Sequence, residues 1–345
     1  MAERICVLMS GGVDSSMAAM LLKEQGFEVC GLTMDTSAGG LEDSPAGRAA
    51  RDAKKAADFL GIEHHVVDVS AIFKHQVIDN FIAEYASGRT PNPCVKCNRM
   101  IKFGYLMHKA GELGCTSMAT GHYACIENGI LRRPFDRMKD QTYFLYVLYG
   151  TAIERIVFPL CSMLKKDVRE KASAAGLPSH SRSESQDICF IPDNNHRGFL
   201  ETVLAPKPGP IVDTGGRTIG THCGIHRYTI GQRKGLGPLG RAMFVKEIHQ
   251  ETNTLVAADE PDIMSAAIRV ENVICGPFDI NDGGAFDVQI RYRTPPSPAH
   301  VRDYNGTRMI IEFESPVRAV APGQAAVLYR GDTLIAGGTI AAAAG

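Results

Sequence analysis

The residues Ser10-Gly11-Gly12-Val13-Asp14-Ser15-Ser16 put two adjacent glycines, three hydroxyls and one carboxylate into a single short segment. Glycines let backbone N–H groups approach a ligand without a Cβ in the way, and serine hydroxyls add neutral donors. At the start of a helix, where unpaired N–H groups and the helix dipole favour negative charge, such a segment binds phosphate. It has neither the lysine and spacing of G-x-x-x-x-G-K-[ST] nor the pattern G-x-G-x-x-G, which excludes those two phosphate-binding fingerprints. A second reactive group is the pair Cys94 and Cys97 in Thr90-Pro91-Asn92-Pro93-Cys94-Val95-Lys96-Cys97-Asn98. Immediately before a helix, with Lys96 and Arg99 beside them, both thiols are expected to ionise readily and to react. A third thiol, Cys189, follows the polar run Glu184-Ser185-Gln186-Asp187. Taken alone, it reads equally well as a buried core cysteine.

These groups need elements to position them. Ile5-Cys6-Val7-Leu8-Met9 is continuously apolar, as a strand covered on both faces must be. Met17, Met20, Leu21 and Leu22 then recur at helical spacing, with Gly26 as a stop, so the phosphate loop lies between a buried strand and a helix. Strands are predicted at Ile5–Met9, Glu28–Met34, His64–Val69 and Ser117–Thr120, and helices at Asp14–Gln25, Gly47–Leu60, Ala71–Ser87 and Arg99–Leu113. That alternation calls for a parallel sheet with helices on both faces. A ligand at the carboxyl ends of its strands would meet the first loop, the segment after Met34 and Thr120-Gly121-His122-Tyr123. Prolines 91 and 93 keep the approach to Cys94 extended. Near Ala205-Pro206-Lys207-Pro208-Gly209-Pro210 the helical patterns vanish, and Gly, Pro and β-branched residues take over. The expected division is therefore an α/β domain over 1–205, a small β-rich domain over 206–265 and an antiparallel barrel over 266–345. Turn signals at Asn281-Asp282-Gly283-Gly284, Asn305-Gly306 and Pro322-Gly323 punctuate that barrel.

With 44% apolar and 22% charged residues, the 345-residue chain has ample core for two or three domains. No apolar run is long enough to span a membrane, and strand-forming residues from Ile5 onward predict no targeting segment, so a cytoplasmic protein is expected. Lys plus Arg total 37 against 38 for Asp plus Glu, which gives no global case for nucleic acid. Any polyanion must be held by local patches: Arg132-Arg133 with Arg137 and Lys139, Arg227 with Arg233-Lys234, or Arg291 with Arg293. Ten cysteines in such a chain predict reduced thiols. Cys6 and Cys30, in predicted strands, and Cys125, Cys161, Cys223 and Cys275, with no companion at ligand spacing, read as small core hydrophobes.

The first loop resembles the SGGxDS pyrophosphate loop of the ATP pyrophosphatases. Together with Asn92–Cys97, Ala119-Thr120-Gly121-His122-Tyr123, Lys139-Asp140-Gln141, Ser185–Ile191, Gly231-Gln232-Arg233-Lys234-Gly235 and Arg291-Tyr292, in that order over nearly the whole chain, it is similar to the tRNA-specific 2-thiouridylases. That family replaces the C2 oxygen of the anticodon wobble uridine with sulfur. The resemblance implies ATP contacts at Leu8, Met9, Ser10, Gly11, Gly12, Val13, Asp14, Ser15, Met34 and Gly121. It implies a nucleophile at Cys97 and a persulfide carrier at Cys189. It places the target base at Asn92, Pro93 and Cys94, and further tRNA contacts at His122, Lys139, Asp140, Gln141, Arg291, Tyr292 and Gln324. Implied partners are the Glu, Gln and Lys tRNAs and a sulfur donor, whether a cysteine desulfurase, a relay protein or sulfide.

On that reading ATP adenylates the C2 oxygen, pyrophosphate departs on the Ser10–Ser16 loop with Mg²⁺ offsetting its charge, and sulfur then attacks C2. Many family members carry aspartate where this chain has Cys94. Three thiols, Cys94, Cys97 and Cys189, also suit a [4Fe-4S] cluster with one open corner, an alternative to the persulfide route. Outside the family, the competing readings are an adenylating synthetase acting on a small molecule, which has no use for three thiols, and a cluster-holding RNA-binding sensor, which leaves the phosphate loop idle.

Overall fold

A computed structural model describes residues 3–37, 44–182, 188–191, 195–237, 241–281 and 283–344. The chain divides into two compact units: Met1–Val77 with Cys94–Gln186 and Asp332–Leu334, and Ile78–Pro93 with Asp187–Gly331 and Ile335–Gly345.

The first unit contains strands β1 (Arg4–Leu8), β2 (Glu28–Asp35), β3 (Glu63–Asp68), β4 (Ser117–Thr120), β5 (Cys125–Glu127), β6 (Ile130–Arg132) and β7 (Ile156–Val157). Five of them form a parallel sheet in the order β3-β2-β1-β4-β7. β1 is central, and its Ile5, Cys6 and Val7 are buried, as the apolar run requires. β3 is an edge strand of exposed and half-buried residues with none fully buried, consistent with its histidines and acids. Helix α1 (Val13–Glu24) buries Met17, Ala18 and Leu22 against the sheet, and α2 (Pro45–Leu60) adds Ala53, Ala56 and Ala57 to the same core. The Ser44 hydroxyl accepts from the Gly47 N–H to cap α2, Pro45 opens it, and Gly61 ends it at φ 61°. Cys125 and Cys161 form a disulfide with a Cα–Cα distance of 4.9 Å, which corrects the reading of both as unpaired core thiols. They lie 36 residues apart. Only the approach of β5 to the turn after β7 brings them together, and sequence spacing does not report it.

The second unit carries two β structures. β8 (Gly209–Val212), β9 (Thr218–His222), β10 (Phe244–His249) and β11 (Thr254–Ala258) make a small sheet around Ile211, Val245, Leu255 and Ala257. β12 (Met264–Cys275), β13 (Ala285–Gln289), β14 (Ser297–Tyr304), β15 (Arg308–Arg318), β16 (Ala325–Arg330) and β17 (Thr333–Ala344) run in the order β12-β15-β14-β13-β16-β17. β12 pairs with β17, so the six antiparallel strands close into a barrel with no free edge. Inward residues Ile268, Val270, Phe286, Val288, Ile311, Leu328 and Ile340 fill it. The expected Asn305-Gly306 turn joins β14 to β15, with Gly306 at φ 96° and the Asn305 side chain accepting from the Thr307 and Arg308 N–H groups. Asp282, in the other expected turn, lies outside the described residues. Among the described residues no helix is long and apolar enough to cross a membrane.

Candidate nucleotide and sulfur-transfer site

The phosphate loop sits where β1 gives way to α1. Gly11 adopts φ +73°, and a Cβ there would lie 2.7 Å from the Ala49 carbonyl oxygen and 2.8 Å from the Arg182 guanidinium. Glycine is therefore required at this position both by conformation and by space. Gly12 precedes the helix in an extended conformation with no side chain to cap the first N–H groups, which leaves them for a ligand. The Ser15 hydroxyl accepts from the Ser10 N–H at 3.1 Å, and the Ser15 and Ser16 hydroxyls donate to the Gly12 carbonyl at 3.1 and 3.0 Å. These bonds hold the loop open around its backbone donors. Leu8 and Met9 lead into it, with the Met9 carbonyl accepting from the buried Thr33 hydroxyl at 2.7 Å, one residue before Met34 on β2. Gly121, just past β4, packs so tightly on α1 that a Cβ would lie 2.7 Å from the Asp14 carbonyl carbon and the Ser15 nitrogen. The loop after β4 thus rests directly on the phosphate loop.

Asp14 is more than a loop-lining side chain. Its carboxylate accepts two bonds at 2.6 Å from Lys165, which is only 9% exposed, and a third at 3.0 Å from the Tyr123 hydroxyl. Lys165 also lies 5.8 Å from the centroid of the Tyr123 ring. Sequence reasoning missed Lys165, which lies 151 residues from Asp14 and opens a helix with no motif around it. It likewise missed Arg182, whose guanidinium donates to Asp52 at 2.9 Å beside Gly11. Two cations are therefore built in next to a phosphate loop that has no basic residue of its own.

The thiols of the first unit lie on a helix that starts earlier than the expected Arg99. It opens with Pro93–Lys96, passes into a π-helical stretch at Cys97–Tyr105 and ends with Leu106–Glu112. Proline at the first helical position loses no hydrogen bond, so Pro93 starts the helix it was expected to precede. Cys94 and Cys97, three apart, fall on one face, with Cys94 exposed and Cys97 buried. The expected easy ionisation of Cys94 is not found. The protein packed around its sulfur pushes the thiol up, and Lys102, not Lys96 or Arg99, is the cation that opposes this. Cys97 opens the π segment, and the side chain of its neighbour Asn98 donates to the Phe144 carbonyl at 3.1 Å. Widened helical turns recur at functional sites.

His122 joins this helix to the loop after β4. Lys102 Nζ, a donor only, lies 3.4 Å from His122 Nε2, so Nε2 accepts and Nδ1–H donates to the Thr120 hydroxyl at 2.6 Å. Burial first, and Lys102 second, hold the imidazole well below its ordinary pKa, so it is neutral at physiological pH. The Gln141 side-chain oxygen accepts from the Tyr123 N–H at 2.9 Å, and the Gln141 backbone N–H donates back to the Tyr123 carbonyl. Asp140 pairs with Arg133 at 2.8 Å and accepts from both the N–H and the hydroxyl of Thr142. Lys139-Asp140-Gln141 is thereby stapled to Gly121-His122-Tyr123.

In the second unit, Cys189 is exposed on a turn whose neighbours Ile188, Phe190 and Ile191 pack with Phe81 and Leu200. The Phe81 and Phe190 ring centroids are 5.4 Å apart. Glu184, Ser185, Gln186 and Asp187 lie outside the described residues. The Gln324 amide donates to the Thr90 and Pro91 carbonyls at 2.9 and 3.3 Å, and the Thr90 N–H donates to the Pro322 carbonyl at 2.8 Å. Gln324 therefore fixes the chain two residues before Asn92. Arg291 donates to the Ile230 and Ala319 carbonyls at 2.9 and 2.7 Å, and the Gln289 amide donates to the carbonyls of Arg291 and Tyr292.

A phosphate loop at the carboxyl end of a parallel sheet, in one compact unit with a cysteine-bearing helix and followed along the chain by two β structures, defines an α/β nucleotide-binding enzyme with a β-rich C-terminal half. Comparison with known proteins is more specific. Residues 3–193 match the profile of a tRNA methyl transferase HUP domain, 197–259 a tRNA methyl transferase PRC-barrel domain and 267–340 an aminomethyltransferase beta-barrel domain. The tRNA-specific 2-thiouridylase MnmA of Carboxydothermus hydrogenoformans is 44% identical over 98% of this chain and 97% of its own length. That of Chloroflexus aurantiacus is also 44% identical, over 98% of each. The chain belongs to the tRNA-specific 2-thiouridylase family. Among solved structures, the U34-tRNA thiolase NcsA from Methanococcus maripaludis is similar at 18% identity over 58% of this chain and 68% of its own, with a TM-score of 0.37, too weak a likeness to bear on the site.

Proposed function

We propose that this protein uses ATP to replace the C2 oxygen of the tRNA wobble uridine with sulfur. The observation that carries this reading is the presence, in one compact unit, of an open phosphate loop at β1–α1 and of the helix bearing Cys94 and Cys97. The loop N–H groups suit departing pyrophosphate, and Lys165 and Arg182, held beside the loop by Asp14 and Asp52, would join them on leaving those partners. Mg²⁺, when bound, would neutralise charge on the phosphates, while Asp14, held by Lys165 and Tyr123, positions the loop. The C2 oxygen attacks the α-phosphate and pyrophosphate leaves. The outer sulfur of a Cys189 persulfide then attacks C2, and AMP departs with the oxygen. Cys97 attacks the Cys189 sulfur, breaking the sulfur–sulfur bond to free the 2-thiouridine and leaving a Cys97–Cys189 disulfide, which an external dithiol reduces for the next turnover.

Catalysis belongs on this reading to residues 1–205, with tRNA contacts spread over all three regions, including 206–265 and 266–345. Glu, Gln and Lys tRNAs are the expected substrates, and a desulfurase or relay protein the expected sulfur donor. The decisive experiment supplies ATP, tRNA and a sulfur donor: AMP and pyrophosphate should form only when tRNA is present, and digested tRNA should contain 2-thiouridine. ATP cleavage independent of tRNA would refute the assignment.

The cluster reading places thiolates at Cys94, Cys97 and Cys189. Cys94 is the residue that separates the two routes, since the persulfide route gives it no sulfur chemistry and the cluster route makes it a ligand. Cys94→Ala should retain at least a tenth of wild-type thiolation and carry no iron, whereas Cys97→Ala and Cys189→Ala should be inactive. Anaerobic purification with iron analysis is the measurement, and joint loss of iron and activity in all three variants would restore the cluster.

A further inference from the structure

Three cysteines that the proposed reaction does not use converge inside the first unit. Cys6 on β1 and Cys30 on β2 are directly paired across the parallel ladder and so project on one face of the sheet, and Cys115 arrives two residues before β4. Their sulfurs all lie within 4.8 Å of one another, those of Cys30 and Cys115 being 3.3 Å apart, and all three residues are buried. Cys6 and Cys30 were expected to be no more than small core hydrophobes, and that expectation does not account for a third sulfur brought against them.

We propose that Cys6, Cys30 and Cys115 form a closed, three-coordinate site for a single thiophilic metal ion, and that the ion it suits is Cu(I). Three sulfurs bound to one ion at a metal–sulfur distance of about 2.3 Å stand about 4 Å from one another, inside the 4.8 Å within which these sulfurs lie, and the Cys30–Cys115 pair at 3.3 Å would open slightly to reach it. A multi-iron cluster, in which each cysteine binds its own iron, needs its sulfurs further apart. Among the described residues no fourth Cys, His, Asp or Glu joins the group, so a tetrahedral Zn²⁺ site is incomplete, while soft three-thiolate ligation suits Cu(I). Arg4, on the same strand as Cys6, is the cation near Cys115 and Cys30, and it is shared with Glu28 and Glu63.

The test must exclude the reactive cysteines. The full chain carrying Cys94→Ala, Cys97→Ala and Cys189→Ala is exposed anaerobically to Cu(I) in the presence of a competing chelator. It should keep one copper per chain, with an X-ray absorption shell of three sulfurs. Adding Cys115→Ser should remove that copper while circular dichroism and ATP binding stay unchanged. Failure to retain copper, retention that survives Cys115→Ser, a two-sulfur shell, or tighter binding of Zn²⁺ than of Cu(I) would each overturn the proposal. The absorption shell is read without altering the three sulfurs, so the test stands even if Cys115→Ser does not fold.

Discussion

At the scale of single residues, the phosphate loop was legible because its work is done by backbone and glycine, and these leave a contiguous signature. Lys165 and Arg182 left none, since they reach the loop through space. This changes what Asp14 means. An acid read from sequence as a loop-lining side chain outside the core proves to hold a largely buried lysine and a tyrosine hydroxyl. Asp14→Ala should therefore cost about 1–3 kcal/mol of stability, discounted because the carboxylate is a third exposed, as well as abolishing ATP-dependent thiolation. Ser10, which is exposed, is the cleaner probe. Ser10→Ala should leave stability within about 0.5 kcal/mol and lower thiolation. Thermal melts run beside activity assays separate the two, and an Asp14→Ala protein as stable as the parent would show that the Lys165 contact contributes nothing.

At the scale of elements, four of the five strands of the parallel sheet and the first helices fell within a residue or two of their expected positions, because burial on both faces writes itself as apolar runs, while the two-residue edge strand β7 was too short to be expected. The cysteine helix did not. Its start was placed at Arg99 because Pro91 and Pro93 were read as an extended approach, but Pro93 is the helix's own first residue. The π stretch from Cys97 has no periodicity that sequence could show, since it depends on packing around Asn98 and Phe144. The tie between this helix and β4 is the Lys102–His122–Thr120 chain, and it should be sensitive to pH. His122 is held well below its ordinary pKa of 6.5, so the unfolded chain takes up a proton that the folded protein refuses. The stabilisation is complete above about pH 6.5 and is lost as pH falls from there toward the folded pKa. His64, His222 and His226 are lowered too and act in the same direction. Denaturant titrations from pH 7.5 down to 5 should show stability falling with acid, with a shallower fall in His122→Gln. An identical slope in the variant would mean that His122 takes up its proton without cost.

At the scale of the whole chain, a net charge of −1 leaves the affinity for a polyanion to local groups, and the structure sorts the candidate patches. Arg132, Arg133 and Arg137 are each paired with an acid, Glu127, Asp140 and Asp332, at 3.0, 2.8 and 2.5 Å. Arg227 pairs with Glu201 at 3.0 Å, and Arg291 is bound to two backbone carbonyls. Arg233 and Lys234 are exposed on the glycine-rich segment that follows Tyr228. A cation already satisfied within the protein must give up that partner to bind phosphate, whereas an exposed one gives up only water. If tRNA is bound through phosphates, Arg233→Ala and Lys234→Ala should each weaken binding and reduce the steepness of log K against log salt by roughly 0.7–0.9. ATP affinity should not change in either variant, since neither residue is near the phosphate loop in sequence or in its compact unit. Arg291→Ala should behave differently, lowering thermal stability by leaving the Ile230 and Ala319 carbonyls without their donor, with a smaller change in salt slope. Filter binding of tRNA from 50 to 300 mM salt, alongside thermal melts, distinguishes these outcomes. Equal salt slopes in all three variants and the parent would place the phosphate contacts elsewhere on the chain.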